Sequence, residues 1–293
     1  MIKIAIYGIN GLVGRLMEEQ VKHLKQPYEL LKIGSKDEPV KSDIAILCTD
    51  DEISFNLAQV LKDKTRFIVD MSAKFRQYPN VPLVIPEINA HAITKETQLI
   101  SSPNCTTTGL VMALNPLKKK YTLEEVFFSS YQAISGGGKK LLEEFKNPES
   151  VYRANCVPQI GSIKENLWTS EELKGLNETR KILELPKIKV RCHCVRVPVE
   201  ISHSLCVSLR AKEDFDMVSL PALFATQKGL IYEDNKIYTP KEVAGKEEVF
   251  ISRLRQDPED KNYIHFWITF DNLLKGAALN GRQIVGYLME KFL

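Results

Sequence analysis

Three glycines, Gly8, Gly11 and Gly14, stand in the order G-x-x-G-x-x-G between an apolar run at 2–7 and a segment at 12–24. In that segment Leu12, Val13, Leu16, Met17 and Val21 recur at helical spacing. A strand, a glycine turn and a helix in this order constrain the fold more than any other feature. The first glycine permits a tight turn, the second lets backbone approach a phosphate, and the third lets helix and strand pack closely. The helix start then offers unpaired N–H groups to a pyrophosphate. The pattern predicts a dinucleotide site formed by Gly8, Asn10, Gly11, Leu12, Val13 and Gly14. The spacing differs from the commoner G-x-G-x-x-G, so a glycine-rich turn without a ligand is the alternative.

The rhythm continues with strands at 29–34, 43–48 and 66–70 and a helix at 52–63. Such alternation predicts an open parallel sheet with helices on both faces, an α/β Rossmann-type domain. An NAD site usually carries an acid at the end of its second strand, for the ribose 2′-hydroxyl. Here Ser35 and Lys36 stand there, which suits a 2′-phosphate and predicts NADP. Asp37 follows at once and weighs against it, and Lys36 also reads as an ordinary loop lysine.

After residue 105 the pattern changes. A helix ends in a basic turn near 120, and longer strands follow at 125–134, 187–196, 201–209, 248–254 and 263–271. This order suggests a second, α+β domain with a mostly antiparallel sheet. An amphipathic helix at 275–292 closes the chain. The expected division is 1–120 plus 275–293 for the nucleotide domain and 121–274 for the second domain, which the family resemblance described below implies for substrate binding and dimerisation.

The 293 residues carry 40 Lys and Arg against 37 Asp and Glu, a net charge of +3, too slight and too scattered to predict nucleic-acid binding. No apolar run is long enough to span a membrane. The first residues lack the charged region and clean apolar stretch of a secretory leader, so a cytoplasmic protein with reduced thiols is expected. Of the six cysteines, Cys105 alone sits in a polar setting at a helix start, within SSPNCTTT at 101–108. There the helix dipole and free N–H groups lower a thiol pKa, and the thiolate is the attacking form. A buried structural cysteine is the alternative. Cys192-His193-Cys194 has no second ligand pair at metal spacing, so no metal is expected.

These pieces resemble aspartate-semialdehyde dehydrogenase, an NADP-dependent family. The matching segments are YGINGLVGR at 7–15, FRQYPNVPLVIPEIN at 75–89, SPNCTTT at 102–108, SSYQAISGGGK at 129–139, NETRKIL at 177–183, RVPVEISHS at 196–204 and KGAALNGRQI at 275–284. They run in the family's order along nearly the whole chain. The resemblance implies Cys105 as nucleophile, His203 as acid/base and Gln132 as the residue orienting the bound intermediate. It implies Arg196 for the substrate carboxylate and Glu178 for its ammonium. Lys181, Arg76 and Asn104 are implied for phosphate, and Ser135, Gly136, Gly137 and Asn280 for the nicotinamide side of the cofactor. It also implies a homodimer or a tetramer.

The residue types suit these roles. A carboxylate takes a two-pronged donor such as Arg196, and an ammonium takes a carboxylate such as Glu178. Glu178 and Lys181 are three apart on a helix, so a solvated surface pair is the plain alternative. His203 shares an alternating face with apolar residues, where a hydrogen-bonded core histidine is the plain alternative. The resemblance implies a thiohemiacetal, then a thioester released by phosphate, used in reverse for lysine, threonine, methionine and diaminopimelate synthesis. Two rivals remain. N-acetyl-glutamyl-phosphate reductase shares the chemistry but has no free amine for Glu178, and a non-catalytic NADP-binding relative would lack the nucleophile or the histidine. The chain departs from the family in Asn10, in Met71 and in a shortened stretch at 36–43.

Overall fold

A computed structural model describes residues 1–293. They form two compact units, one of residues 1–104 with 277–293 and one of residues 105–276. In the first unit the strands are β1 (Ile2–Tyr7), β2 (Tyr28–Ile33), β3 (Ser42–Leu47), β4 (Thr65–Asp70) and β5 (Leu99–Ser101). Between them lie helices α1 (Leu12–Val21), α2 (Asp51–Leu61) and the short α3 (Pro86–Asn89).

The five strands pair in parallel in the order β2-β1-β3-β4-β5. Alternation along β1 explains why helices cover both faces. Ile4 and Ile6 join Met17, Val21, Ile284 and Leu288 in one core, while Ala5 and Tyr7 join Leu47, Leu61 and Phe75 in another. Strand order reverses between β1 and β3, and the glycine turn leaves the carboxyl end of β1 at that point, where α/β sheets bind ligands.

Gly8 has φ +77°, and a Cβ there would lie 2.4 Å from the Cys48 carbonyl oxygen. A Cβ on Gly14 would lie 2.2 Å from the Gly8 carbonyl oxygen. Both obstacles are backbone, so neither position admits a side chain without moving the turn.

The second unit begins with α4 (Cys105–Lys118), followed by β6 (Leu123–Gln132), α5 (Gly138–Phe145), α6 (Ser170–Leu183), β7 (Lys189–Arg196) and β8 (His203–Ala211). It continues through α7 (Leu220–Ala225), β9 (Leu230–Tyr232), α8 (Pro240–Val243), β10 (Val249–Gln256) and β11 (Tyr263–Phe270). The sheet order is β7-β6-β8-β11-β10-β9. β6, β8, β11 and β10 pair antiparallel in succession, and the two edge strands pair in parallel, which makes the sheet mixed.

One sheet face packs on helices through Val126, Phe128, Val207 and Phe266, all buried. The other presents Phe127, Tyr131, His193 and Trp267 at partial or full exposure. Helix α4 falls in this unit rather than with the nucleotide domain, because it packs on α6, α7, β6, β10 and β11 and is buried from Thr106 to Leu117. The chain re-enters the first unit with α9 (Leu279–Phe292), which packs on α1, α3 and β4. No helix is long and apolar enough to cross a membrane.

Gly14→Ala is expected to destabilise the protein by about 2–3 kcal/mol, the upper range for forced overpacking. Gly286 lies inside α9, where the nearest atom to an added Cβ is a flexible Leu24 methyl at 3.6 Å. Gly286→Ala is therefore expected to stabilise by about 0.5–1 kcal/mol through helix propensity. Urea midpoints moving in opposite directions at unchanged m-value would bear this out.

Candidate active site

Cys105 is the first residue of α4 and His203 the first of β8, and their side chains meet with Sγ 3.2 Å from Nε2. The imidazole is fully buried and held from behind. The Ala133 backbone N–H donates to Nδ1 at 3.0 Å, and Phe270 lies edge-on at 6.0 Å between ring centroids. An imidazole that accepts at Nδ1 carries its proton on Nε2 when neutral. Burial, together with the Arg196 charge, holds the His203 pKa well below its ordinary 6.5. The Nε2–H therefore points at Cys105 Sγ.

Gln132 and Arg196 are register partners at the ends of β6 and β7. The Arg196 guanidinium is 5% exposed, donates Nη1–H to the Ala133 carbonyl at 2.6 Å, and has its pKa lowered by burial against the opposing pull of Cys105 and Glu171. Gly136 lies close against Arg196 and His203. A Cβ there would stand 2.7 Å from Arg196 Nη1 and 3.1 Å from His203 Nε2. The structure thus brings Cys105, His203, Arg196 and Gly136 together, with Gln132 beside them.

Two groups that the sequence reading passed over hold this arrangement. Asn272 Oδ1 accepts from Ser202 N–H at 2.9 Å, and its Nδ2 and Oδ1 meet Ser135 Oγ at 3.1 and 3.2 Å. It ties the turn before His203 to the turn of Ser135–Gly137. Ser202 has φ +80°, a strained position for a residue with a Cβ, which this cross-link sustains. Glu171, at the start of α6, is 6% exposed and accepts from Gln132 Nε2 at 3.2 Å. Neither residue stands in a recognisable motif, and only its contacts single it out.

Glu178 and Lys181 ride one turn apart on α6. Glu178 is fully buried, and the Lys181 pKa is lowered by burial against the Glu178 charge, so a solvated surface pair is excluded.

The remaining candidates belong to the first unit. Arg76 is 7% exposed and donates Nη2–H to the Met71 carbonyl at 3.2 Å. Behind it Asp70 accepts from Ser72 N at 3.1 Å and Ser72 Oγ at 2.9 Å, and burial raises its pKa. Asn104 is buried. Asn280 donates Nδ2–H to the Val84 carbonyl at 3.0 Å and to Ser102 Oγ at 2.9 Å, while its Oδ1 is buried without a partner, as is Ser101 Oγ. Ser35 and Lys36 stand exposed past the end of β2, and Asp37 Oδ2 accepts from the Gly34 N–H at 2.7 Å.

Residues 3–96 match the family model described as semialdehyde dehydrogenase, NAD binding domain, and residues 114–275 the one described as semialdehyde dehydrogenase, dimerisation domain. The aspartate-semialdehyde dehydrogenase of Bacillus subtilis is 33% identical, covering 85% of this chain and 80% of its own. That of Rickettsia conorii is 33% identical, covering 99% and 98%. The chain belongs to the aspartate-semialdehyde dehydrogenase family. The fold agrees. A Vibrio cholerae aspartate semialdehyde dehydrogenase II complexed with ASA superposes at TM-score 0.93 and 26% identity, over 100% of this chain and 99% of that one. For a family member, the glycine turn and the Cys105 cluster are the two places where chemistry is to be sought, one in each unit.

The neutral imidazole has a consequence for folding. Below about pH 6.5 the unfolded chain gains a proton on residue 203 that the folded chain does not, so stability falls as pH drops. The contribution of His203 approaches about 1.4 kcal/mol per pH unit until its depressed folded pKa is reached. Urea unfolding of His203→Gln beside the parent, between about pH 7 and about pH 5, should show a slope shallower by roughly that amount.

Proposed function

We propose that the chain is an NADP-dependent aspartate-semialdehyde dehydrogenase, interconverting L-aspartate 4-semialdehyde and L-aspartyl 4-phosphate through a thioester on Cys105. The observation that carries this reading is the 3.2 Å contact of Cys105 Sγ with His203 Nε2, at a helix start, in a chain whose relatives bear this name. Its cellular direction is reductive, toward lysine, threonine, methionine and diaminopimelate. The six cysteines are free thiols, in keeping with a cytoplasmic enzyme.

Cys105 attacks as the thiolate, favoured by the α4 N-terminus, the Arg196 charge and the Nε2–H of His203. Attack on the aldehyde carbon gives a thiohemiacetal alkoxide, and Nε2–H is the preorganised donor for its oxygen. His203 keeps its proton at Nε2, because losing it would leave an imidazolate while Ala133 N–H occupies Nδ1. An alkoxide releases hydride more readily than a hydroxyl, so no base is needed at this step. The dinucleotide, when bound, supplies the hydride acceptor, and the adduct becomes a thioester. Phosphate then attacks the carbonyl carbon, the C–S bond breaks, and its electron pair returns to Sγ. The proton set free is phosphate's own.

The substrate's α-carboxylate is assigned to Arg196, whose Nη1 is taken by Ala133 and whose remaining edge offers two N–H groups. Its ammonium is assigned to Glu178. Lys181, Arg76 and Asn104 are the phosphate ligands, and Gln132 orients the adduct.

The first unit fits a dinucleotide. The glycine turn leaves bare backbone at the start of α1, and Asn280 Oδ1 and Ser101 Oγ are buried without partners. Gly8, Asn10, Gly11, Leu12, Val13 and Gly14 would hold the pyrophosphate. Asn280, with Ser135, Gly136 and Gly137, would line the nicotinamide. Ser35 and Lys36 would take the 2′-phosphate. The half-exposed aromatic face of the second sheet, where the tilted rings of Tyr131 and Trp267 meet at 5.3 Å between centroids, supports a homodimer closed through that face.

The test follows NADPH formation from aspartate semialdehyde, NADP⁺ and phosphate. Phosphate-dependent turnover is expected, lost by about 10³-fold or more in Cys105→Ala with NADP binding retained. Near-normal rates in that variant would end the thioester scheme, and turnover only of an N-acylated glutamate semialdehyde would move the substrate. Lys36→Ala should raise the NADP KM about tenfold and leave that of NAD unchanged, as loss of one charged phosphate contact implies.

A further inference from the structure

We infer that Glu171 is a positioning residue that fixes the Gln132 side-chain amide, so that Gln132 presents its carbonyl oxygen to the substrate as a hydrogen-bond acceptor. The inference rests on the proposed contact of Gln132 with the substrate and deepens it.

An amide side chain has two ends of opposite character, and its orientation follows from its partners. Gln132 Nε2 lies 3.2 Å from Glu171 Oε1 and 3.2 Å from Ser130 Oγ. An ionised carboxylate only accepts, so the end that faces Glu171 is the NH₂ end. Both N–H groups are then taken, one by Glu171 and one by Ser130, and Oε1 is the end left for a ligand. Gln132 accordingly does not donate to the oxyanion. It accepts, from an ammonium or a hydroxyl, and the aspartate-semialdehyde ammonium is the donor of the proposed substrate.

Glu171 itself is an expensive residue to keep. It is 6% exposed, and its ion pair with Lys174 at 3.3 Å runs to a side chain that remains 33% exposed. A buried carboxylate is tolerated where it is hydrogen-bonded, and here the start of α6 also favours its charge. An apolar side chain or a glutamine would fill the place at less desolvation, but a glutamine can turn either end to Gln132 and would release its orientation. Only an acceptor-only group forces it. Glu171 also counts among the charges acting on Arg196, so one carboxylate acts both on Gln132 and on the ligand proposed for the substrate carboxylate.

The test is a double-mutant cycle on the full-length protein, comparing the parent with Glu171→Ala, Gln132→Ala and the double variant. Glu171→Ala should raise the semialdehyde KM by about tenfold, leave the phosphate KM unchanged, and add less than about twofold in the Gln132→Ala background. Glu171→Gln, which can still accept from Nε2, should recover part of the loss. A displaced α6 would instead raise the phosphate KM as well, because Lys181 rides on that helix; that result, or full additivity, overturns the inference. A second readout does not depend on turnover. In ¹⁵N–¹H spectra the Gln132 side-chain amide, assigned with Gln132→Ala, should be protected from hydrogen exchange in the parent and lose protection in Glu171→Ala. Unchanged protection overturns the inference even if the substrate proves to be another; loss of protection with no turnover of aspartate semialdehyde would sink the functional reading alone.

Discussion

The hydrogen bond from the Ala133 N–H to His203 Nδ1 decides what the cluster around Cys105 can do. A backbone donor cannot be rotated away or titrated, so the imidazole behind it has one comfortable state, neutral with its proton on Nε2. Burial pushes in the same direction, because a charged ring would lose its hydration, and the Arg196 charge adds to the penalty. The same residue anchors Arg196, whose Nη1–H donates to the Ala133 carbonyl. One peptide on either side of Ala133 thus orients both the proton donor at the sulfur and the cation beside it. Geometry of this kind is preorganised: the groups meet developing negative charge without rearranging.

Holding three charged side chains with little water is the other side of that arrangement. Arg196, Glu171 and Glu178 are each less than one-tenth exposed. An unpaired buried charge is prohibitive and a paired one often no better than an apolar residue of the same size. Their retention at the end of β7 and on the facing α6 is therefore in keeping with the proposed recognition of a zwitterionic ligand rather than with stability. Strain at Ser202 tells the same story, since the Asn272 cross-link holds a left-handed residue in place just before His203.

The first unit depends on close approach instead of charge. Gly8 and Gly14 are enclosed by carbonyl groups, so α1 starts almost against the end of β1. Its unpaired N–H groups are thereby placed at the strand-order reversal, without a side chain between them and a ligand. The same compactness seats α9 on α1, which brings Asn280 back to the carboxyl ends of the parallel strands.

Much of this was legible in the residues alone, wherever the signal is local. Period-two and period-3.6 patterns located β1 to β4, α1, α2, α4 and α9 within a few residues, and the glycine spacing and the polar setting of Cys105 marked both candidate sites. Strands β5 and β9, of three residues each, fell below what a period can reveal. The transfer of α4 to the second unit was hidden too, because a helix buried all round does not say which sheet it serves. What only the tertiary structure decided are the relations across long separations. Cys105 and His203 are 98 residues apart, Ala133 and His203 70, and Gln132 and Glu171 39. Sheet register and helix docking set those distances, and with them the tautomer of His203, the orientation of Gln132 and the burial of Glu178. A sequence states which groups are present and which face of their own element they occupy. Which group they meet, and therefore which proton they hold, is a property of the packed whole.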